Sequence, residues 1–230
     1  MKGNDKNEEV RARRKATAVI LAAFILSTAA EAGARDDWEY WASYTFNYKV
    51  NEKLTLKFIP NHRHKDDFQN PFYWESDQGF SYKLHKNVDV AAYYVYVEED
   101  RPDTNLKENR YTSDLILKLP WKDWQFSDRN RYEYRTFNMG DSKGRYRNMF
   151  QVTFSPLEIA GQKITPYVSN EIFYDLKINE YNQNRAILGF TKKLTDKLKA
   201  GLYYMTKSVK SSGAWEESHI IGAKFDIDFN

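Results

Sequence analysis

The sequence of 230 residues contains no cysteine, which rules out disulfide bonds and thiolate sites for metal or haem. Residues 35–230 carry 29 Lys and Arg against 28 Asp and Glu, so they are nearly neutral. Nucleic acid is therefore not expected as a partner, because attraction to phosphates needs a clear basic excess. After the N-terminal segment, no stretch reaches the roughly 18 apolar residues of a membrane-spanning helix. The sequence also lacks a glycine-rich phosphate loop, and we expect no cofactor.

The first 34 residues have the pattern of a secretory signal peptide. Basic residues at 11–15 precede an apolar stretch from Ala16 to Ala30, and small residues suited to cleavage follow at 30–34. The apolar stretch is too short to predict a spanning helix, although an uncleaved N-terminal anchor is the alternative. The sequence therefore predicts a cleaved signal peptide over 1–34 and an exported domain over 35–230.

A two-residue alternation of side-chain character runs, with interruptions, from Trp38 to Phe229. It is clearest from Trp124 to Arg135, where one face is mostly aromatic and the other carries Gln, Ser, Arg and Glu. A period of two is the signature of a β-strand. The 17 Tyr, 14 Phe and 6 Trp are abundant, and membrane barrels concentrate such residues at the lipid–water interfaces.

Successive segments with this alternation predict a closed barrel. They lie at 38–50, 54–64, 73–84, 88–98, 109–119, 124–137, 145–155, 163–174, 182–194, 198–208 and 217–229. No helix is predicted to cover them, so the economical arrangement has aromatic residues outside and charges inside. We predict an all-β fold, an antiparallel up-and-down transmembrane β-barrel of about 10–12 strands. A soluble, lipocalin-like barrel with the two faces reversed is the alternative.

The odd number of segments conflicts with the even strand numbers of bacterial single-chain barrels. Three explanations stay open: a missed strand, a first segment outside the wall, or a parallel closing pair. The connections are expected to alternate between short turns and longer polar loops, the latter at 65–72, 99–108, 138–144, 175–181 and 209–216.

Several motifs carry a resemblance to a known family. They are Trp38-Glu39-Tyr40-Trp41, strand ends such as Tyr82-Lys83-Leu84, Arg129-x-Arg131-x-Glu133-x-Arg135 and Asn170-Glu171-Ile172-Phe173-Tyr174. With them, the chain resembles an uncharacterised, domain-of-unknown-function family of small bacterial outer-membrane β-barrels. This resemblance implies the fold and the outer-membrane location and brings no established activity. More distantly, the chain is similar to the oligogalacturonate-specific porins, monomeric channels for acidic oligosaccharides, a likeness of architecture that serves as analogy only.

The alternation also predicts which charged residues face the lumen. The predicted basic wall comprises Arg129, Arg131, Arg135, Arg145, Arg147 and Arg185. The predicted acidic residues are Glu75, Asp77, Asp89, Asp114, Glu133 and Glu171. Four lysines are expected at the periplasmic mouth, namely Lys49, Lys83, Lys118 and Lys193. We expect a basic wall facing a more acidic one, although pairing that plugs a narrow lumen is equally open.

The predicted function is a narrow, charge-lined channel for small anionic solutes in the bacterial outer membrane. Lipid and lipopolysaccharide are the expected surroundings of a monomer. A non-conducting structural barrel or one that binds partners through its loops is the alternative. A lipid-modifying enzyme is less favoured, because no His has a Ser or acidic partner at readable spacing. No catalytic or metal-binding residues are predicted.

Overall fold

The computed structural model describes residues 38–102 and 104–230. The predicted signal peptide over 1–34 lies outside these residues. None of the described residues forms a helix long and apolar enough to cross a membrane.

Residues 38–102 and 104–230 form twelve strands. In chain order they are β1 (Trp38–Lys49), β2 (Leu54–Lys65), β3 (Asn70–His85), β4 (Val88–Arg101), β5 (Thr104–Trp121), β6 (Trp124–Phe137), β7 (Lys143–Thr153), β8 (Leu157–Ile159), β9 (Gln162–Asp175), β10 (Glu180–Lys193), β11 (Leu198–Ser211) and β12 (Ala214–Asp228). All except β8 pair in sequence order and close into a barrel. β8 has three residues and pairs only with the start of β9, from Leu157 opposite Ile164 to Ile159 opposite Gln162. The predicted all-β, up-and-down barrel is confirmed.

The barrel closes through a parallel pair of strands. β1 runs parallel to β12, with Trp38 opposite His219 and Asn47 opposite Asp228. The other neighbours in the wall are antiparallel, so an odd number of wall strands requires one parallel pair. The chain end strengthens this seam, because the Asn230 side chain donates to the Lys49 carbonyl at 2.7 Å and accepts from the Lys49 amide at 2.9 Å. Of the three explanations for the odd count, the parallel closing pair is the correct one.

We call the end of the barrel at which β1 starts, near Trp38, the N-terminal end. The end at which β1 finishes, near Lys49, is the C-terminal end. Connections 66–69, 138–142, 176–179 and 212–213 lie at the N-terminal end, where β4 ends and β5 begins. They are shorter than the predicted loops, and the expected alternation with longer loops is wrong. In the predicted loop 99–108, strand pairing continues from Glu98 opposite Lys107 to Arg101 opposite Thr104. The polar composition of this hairpin resembles a loop, yet backbone pairing extends through it.

The outer face of the barrel is largely apolar and aromatic, and the charged residues turn inward. On β6, the Tyr132 side chain outside the barrel is 46% exposed, whereas Glu133 beside it is 0% exposed. Phe58, Leu115 and Phe190 are further outward residues that expose more than 40% of their surface. This is the reverse of the lipocalin-like alternative, in which the apolar face would fill the interior.

Three interior tyrosines lie against the wall instead of crossing the lumen. Each stands opposite a glycine on the neighbouring strand: Tyr93 opposite Gly79, Tyr167 opposite Gly189 and Tyr203 opposite Gly222. A Cβ atom added at Gly189 would lie 2.5 Å from Cζ of Tyr167. Glycine in a strand marks such close approaches, and an aromatic ring can cover the space that the missing side chain leaves.

Substitution of Gly222 with Ala is expected to lower the stability of the refolded barrel. The new Cβ would overlap the Tyr203 ring, and overpacking of this kind costs about 1–3 kcal/mol. Gly144→Ala is the matched control, because its Cβ would meet chiefly the flexible Leu176 side chain at 3.0 Å. The measurement is urea unfolding in detergent micelles or lipid vesicles. Equal unfolding midpoints for the two variants would contradict the packing of Tyr203 on Gly222.

Candidate functional site

Four carboxylates on neighbouring strands lie buried against the inner wall. They are Glu108 and Asp114 on β5, Glu133 on β6 and Glu171 on β9, none more than 5% exposed. An isolated carboxylate at such a position would be strongly destabilised, because its charge loses the solvation of water. Each of the four is therefore expected to need cationic partners close by.

Arg147 joins two of these carboxylates. Its guanidinium lies 2.7 Å from Glu133 through Nη1 and 2.7 Å from Glu171 through Nη2. Arg145 also donates to Glu133, at 2.7 Å from Nε, and Arg129 donates to Glu171 from the strand on the other side of β7. The flat guanidinium suits this bridging role, because its N–H groups point in several fixed directions within one plane.

The other two carboxylates are paired in the same way. Arg131 stands opposite Asp114 in the β5–β6 register and donates to both of its oxygens, at 2.6 and 2.8 Å. Glu108 accepts from Arg110 and from Arg135. The inner wall of β5, β6, β7 and β9 therefore holds one continuous layer of paired charges.

Arg110 extends this network over β4 to β3. It donates to Glu75 at 2.8 Å and to the Tyr73 hydroxyl at 3.1 Å. Asp77 lies on the same inner face of β3 and is buried, with no hydrogen-bond partner for Oδ1 within 38–102 and 104–230. Asp89 lies nearer the C-terminal end, where it pairs with Lys118.

Two arginines of the interior are held mainly by aromatic rings. The Arg63 guanidinium lies between the Trp41 and Tyr73 rings, 3.8 and 3.6 Å from their centroids, and its distance to Glu75 is 3.9 Å. Arg185 lies 4.9 Å from the Trp41 centroid and 3.7 Å from Glu171. Stacking leaves the in-plane N–H groups of a guanidinium free to bind an anion. Arg63 and Arg185 are thus less closely neutralised than Arg131 or Arg147.

The arginines line a cavity of about 250 Å³ in the N-terminal half of the barrel. Its charged lining comprises seven arginines and one lysine against two glutamates: Arg63, Arg110, Arg131, Arg135, Arg145, Arg147, Arg185 and Lys207 against Glu75 and Glu99. The four buried carboxylates do not line it. They lie behind the guanidinium groups, so the cavity presents a cationic surface to any solute that enters.

The charge arrangement differs from the predicted pair of opposing walls. Five of the six predicted basic-wall arginines line the cavity. The sixth, Arg129, lies further towards the C-terminal end, where it pairs with Glu171. Asp114, which was predicted on the acidic wall, pairs with Arg131 instead of facing it across a lumen. Glu133 and Glu171, which share strands with the predicted basic wall, both pair with Arg147. Acidic and basic residues are therefore layered, with the carboxylates nearer the wall.

Sequence reasoning missed Arg63, Arg110 and Glu108. Arg110 and Glu108 share the inward parity of Asp114, but Glu108 fell in a segment assigned to a loop. Arg63 lies between His62 and His64, whose parity is that of the outer face, so the same alternation places Arg63 inside. Extending the two-residue alternation through the polar segments identifies all three residues as facing inward.

The four predicted mouth lysines lie at the C-terminal end, away from the cavity. Lys49 is 3.5 Å from Asp228, and Lys193 is 2.7 Å from Asp196. Lys118 pairs with Asp89, and Lys83 is exposed near the end of β3. Exposed pairs of this kind contribute little to stability, so these lysines mainly set the charge of that mouth.

His62, His64 and His219 lie on the outer face. His62 stacks on Tyr44 at 6.0 Å between ring centroids, and His219 contacts Tyr204 through Nδ1 at 2.6 Å. Within the part of the chain that the structure describes, no group of three or more His, Cys, Asp or Glu could hold a metal ion.

The family model described as "Protein of unknown function (DUF2490)" matches residues 38–218. The chain belongs to this family. The match covers ten of the eleven wall strands in full and reaches into β12. The predicted membership of a domain-of-unknown-function family is confirmed.

Comparisons beyond the DUF2490 family are sparse. No curated protein matches the sequence. Among solved structures, an anion-selective porin from Comamonas acidovorans is similar, with a TM-score of 0.37 and 8% sequence identity. The match covers 75% of this chain and 55% of the porin, so the chain spans little more than half of that protein. The similarity agrees with the porin-like resemblance of the sequence, but it is too low to carry an argument about function.

Replacing Glu133 with Gln is expected to destabilise the barrel strongly. The change leaves Arg145 and Arg147 without one of their buried carboxylate partners, and breaking a buried ion pair costs about 3–5 kcal/mol. Asp196→Asn is the control, because it removes an exposed partner of Lys193 and should leave stability unchanged. Chemical unfolding in micelles measures both. A Glu133→Gln protein as stable as the parent would show that the buried pairs do not hold the wall together.

Proposed function

We propose that this DUF2490 protein is an outer-membrane β-barrel that passes small anionic solutes through a narrow, arginine-lined lumen. The membrane placement is supported by the outer face, which is largely apolar and aromatic. Exposed tryptophans also lie near both ends: Trp121 near the C-terminal end, and Trp74 and Trp215 near the N-terminal end. Tryptophan concentrates at both interfaces of a bilayer. The predicted signal peptide supplies the export that such a location needs.

The cavity is the observation that carries the proposed solute class. Most of its arginines are held by buried carboxylates that do not line the cavity, so the positive surface needs no rearrangement when an anion arrives. Rings of charged side chains give pores their ion selectivity in this way. Guanidinium groups bind carboxylates and phosphates through two parallel hydrogen bonds. Small organic acids and phosphorylated solutes are therefore the favoured cargo.

The C-terminal half of the lumen continues the positive character. Lys57, Lys118 and Lys224 lie on the inner face there, together with Asp89 and Asp226. The Lys224 ammonium lies 4.0 Å from the Tyr167 centroid, on a ring that lies along the wall over Gly189. An anion leaving the arginine cavity would thus meet further cations on its way to the C-terminal mouth.

A closed barrel without transport is the second candidate, and the dense packing of inward side chains favours it. Val97, Phe173, Met205 and Ile220 face inward and are at most 1% exposed. Small barrels can fill their interior with side chains in this way. In that case the cavity would be a binding site open only at the N-terminal end.

Cell fractionation tests the location. The full chain, produced in a Gram-negative host, is expected in the outer-membrane fraction with a mass reduced by the predicted signal peptide. Heating before electrophoresis should change its mobility, because folded membrane barrels resist detergent until heated. Recovery as an unprocessed or freely soluble protein would contradict the membrane placement.

Planar-bilayer recordings test the channel. The refolded protein is expected to give discrete conductance steps, with a reversal potential under a salt gradient that indicates anion preference. The double change Arg63→Gln and Arg185→Gln should reduce that preference, since these cavity arginines are the least bound by carboxylates. Lys86→Gln removes a positive charge in the turn after β3 and should leave selectivity unchanged. An inserted but silent protein would favour the closed barrel.

A further inference from the structure

The outer face carries a polar network on β6, β7, β9 and β10 that contrasts with the apolar residues around it. On β6 and β7, the Asn130 side chain donates to Asp128 at 2.9 Å, and Asn148 donates to Asp128 at 2.6 Å and to Asn130 at 3.2 Å. On β9 and β10, the Asn170 and Asn184 amides exchange hydrogen bonds of 3.0 and 3.3 Å. These five residues, Asp128, Asn130, Asn148, Asn170 and Asn184, form what we call the amide patch.

The amide patch points away from the lumen. Asn130 stands opposite Asn148 in the β6–β7 register, one residue from the inward pair Arg131 and Arg147. Since side chains alternate across a strand, Asn130 and Asn148 face outward. On β9, Asn170 precedes the inward Glu171 and faces outward for the same reason.

The patch lies within the apolar band and not at its edge. On β6, outward Phe126 and Tyr132 lie on either side of Asp128 and Asn130. On β9, outward Ile172 follows Asn170 towards the N-terminal end. A membrane position for this band, which rests on the function proposed above, would hold four amides and a carboxylate at the depth of the hydrocarbon core. Polar groups there are costly unless protein covers them.

We propose that the amide patch is the contact surface between two copies of this chain, related by a two-fold axis. Primary amides suit such a contact because each is both a donor and an acceptor, so the patch is complementary to itself. The reciprocal Asn170–Asn184 pair uses one N–H of each amide and leaves the second for a neighbour. This inference replaces the monomer expected from the sequence.

Two apolar side chains would complete the contact. Phe150 lies between Asp128 and Asn170 in register, and Ile172 lies between Asn148 and Asn184. They are 47% and 39% exposed. A patch with apolar side chains between hydrogen-bonding groups is the composition expected of a protein interface. Phe150 lies near its centre and would approach its own copy across the axis.

Disulfide cross-linking tests the proposal directly, because the chain has no cysteine of its own. Phe150→Cys should form a covalent dimer in lipid vesicles under mild oxidation. Phe58→Cys is the matched control, since Phe58 is also an outward phenylalanine, 43% exposed, on the opposite side of the barrel. An interface holds two thiols at high effective concentration, so the Phe150→Cys dimer should form at least about tenfold faster.

Equal cross-linking rates for the two cysteine variants would overturn the proposal, because random collisions would then explain both. A parent protein that stays monomeric by light scattering in micelles and vesicles would also overturn it. Replacing Asn130 and Asn148 with Leu should convert the dimer to monomers while leaving the heat-dependent mobility shift of the folded barrel intact. That shift and the outer-membrane fraction report the proposed location separately, so a monomeric but inserted protein would contradict only the two-fold contact.

Discussion

The interior of this barrel depends on the pairing of four buried carboxylates with the arginines around them. Glu108, Asp114, Glu133 and Glu171 are too buried to be ionised alone, and each has at least one guanidinium within hydrogen-bonding distance. The pairing also sets the charge of the lumen, because the acids lie behind the bases. Once the carboxylates hold the arginines in place, the remaining N–H groups turn towards the cavity. A wall that contains buried carboxylates can therefore still present a positive surface to the cavity.

Closure of the wall imposes a second constraint. An odd number of wall strands can close only through a parallel pair, which here joins β1 to β12. The start of β1 and the end of β12 consequently lie at opposite ends of the barrel. The interior tyrosines lie over glycines on neighbouring strands, which keeps bulky side chains close to the wall.

Much of this fold can be predicted from the two-residue alternation alone. The segment from Trp124 to Arg135 gave the correct inward and outward faces of β6, because period two allows only two orientations of a strand. Pairing across the closing seam was not predictable, since no local pattern distinguishes a parallel pair from a missing strand. The position of Glu133 behind Arg147 could not be predicted from the sequence either. It depends on the different lengths of the two side chains and on which strands become neighbours.

The most direct measurement of the central claim is a crystal structure of the protein soaked in bromide, with anomalous scattering used to locate the ions. The account predicts bromide in the cavity beside Arg63 and Arg185, where guanidinium groups are least neutralised. It also predicts that Glu133 and Glu171 stay buried behind Arg147. A cavity without bromide, or one into which these carboxylates turn, would contradict the layered arrangement of charge.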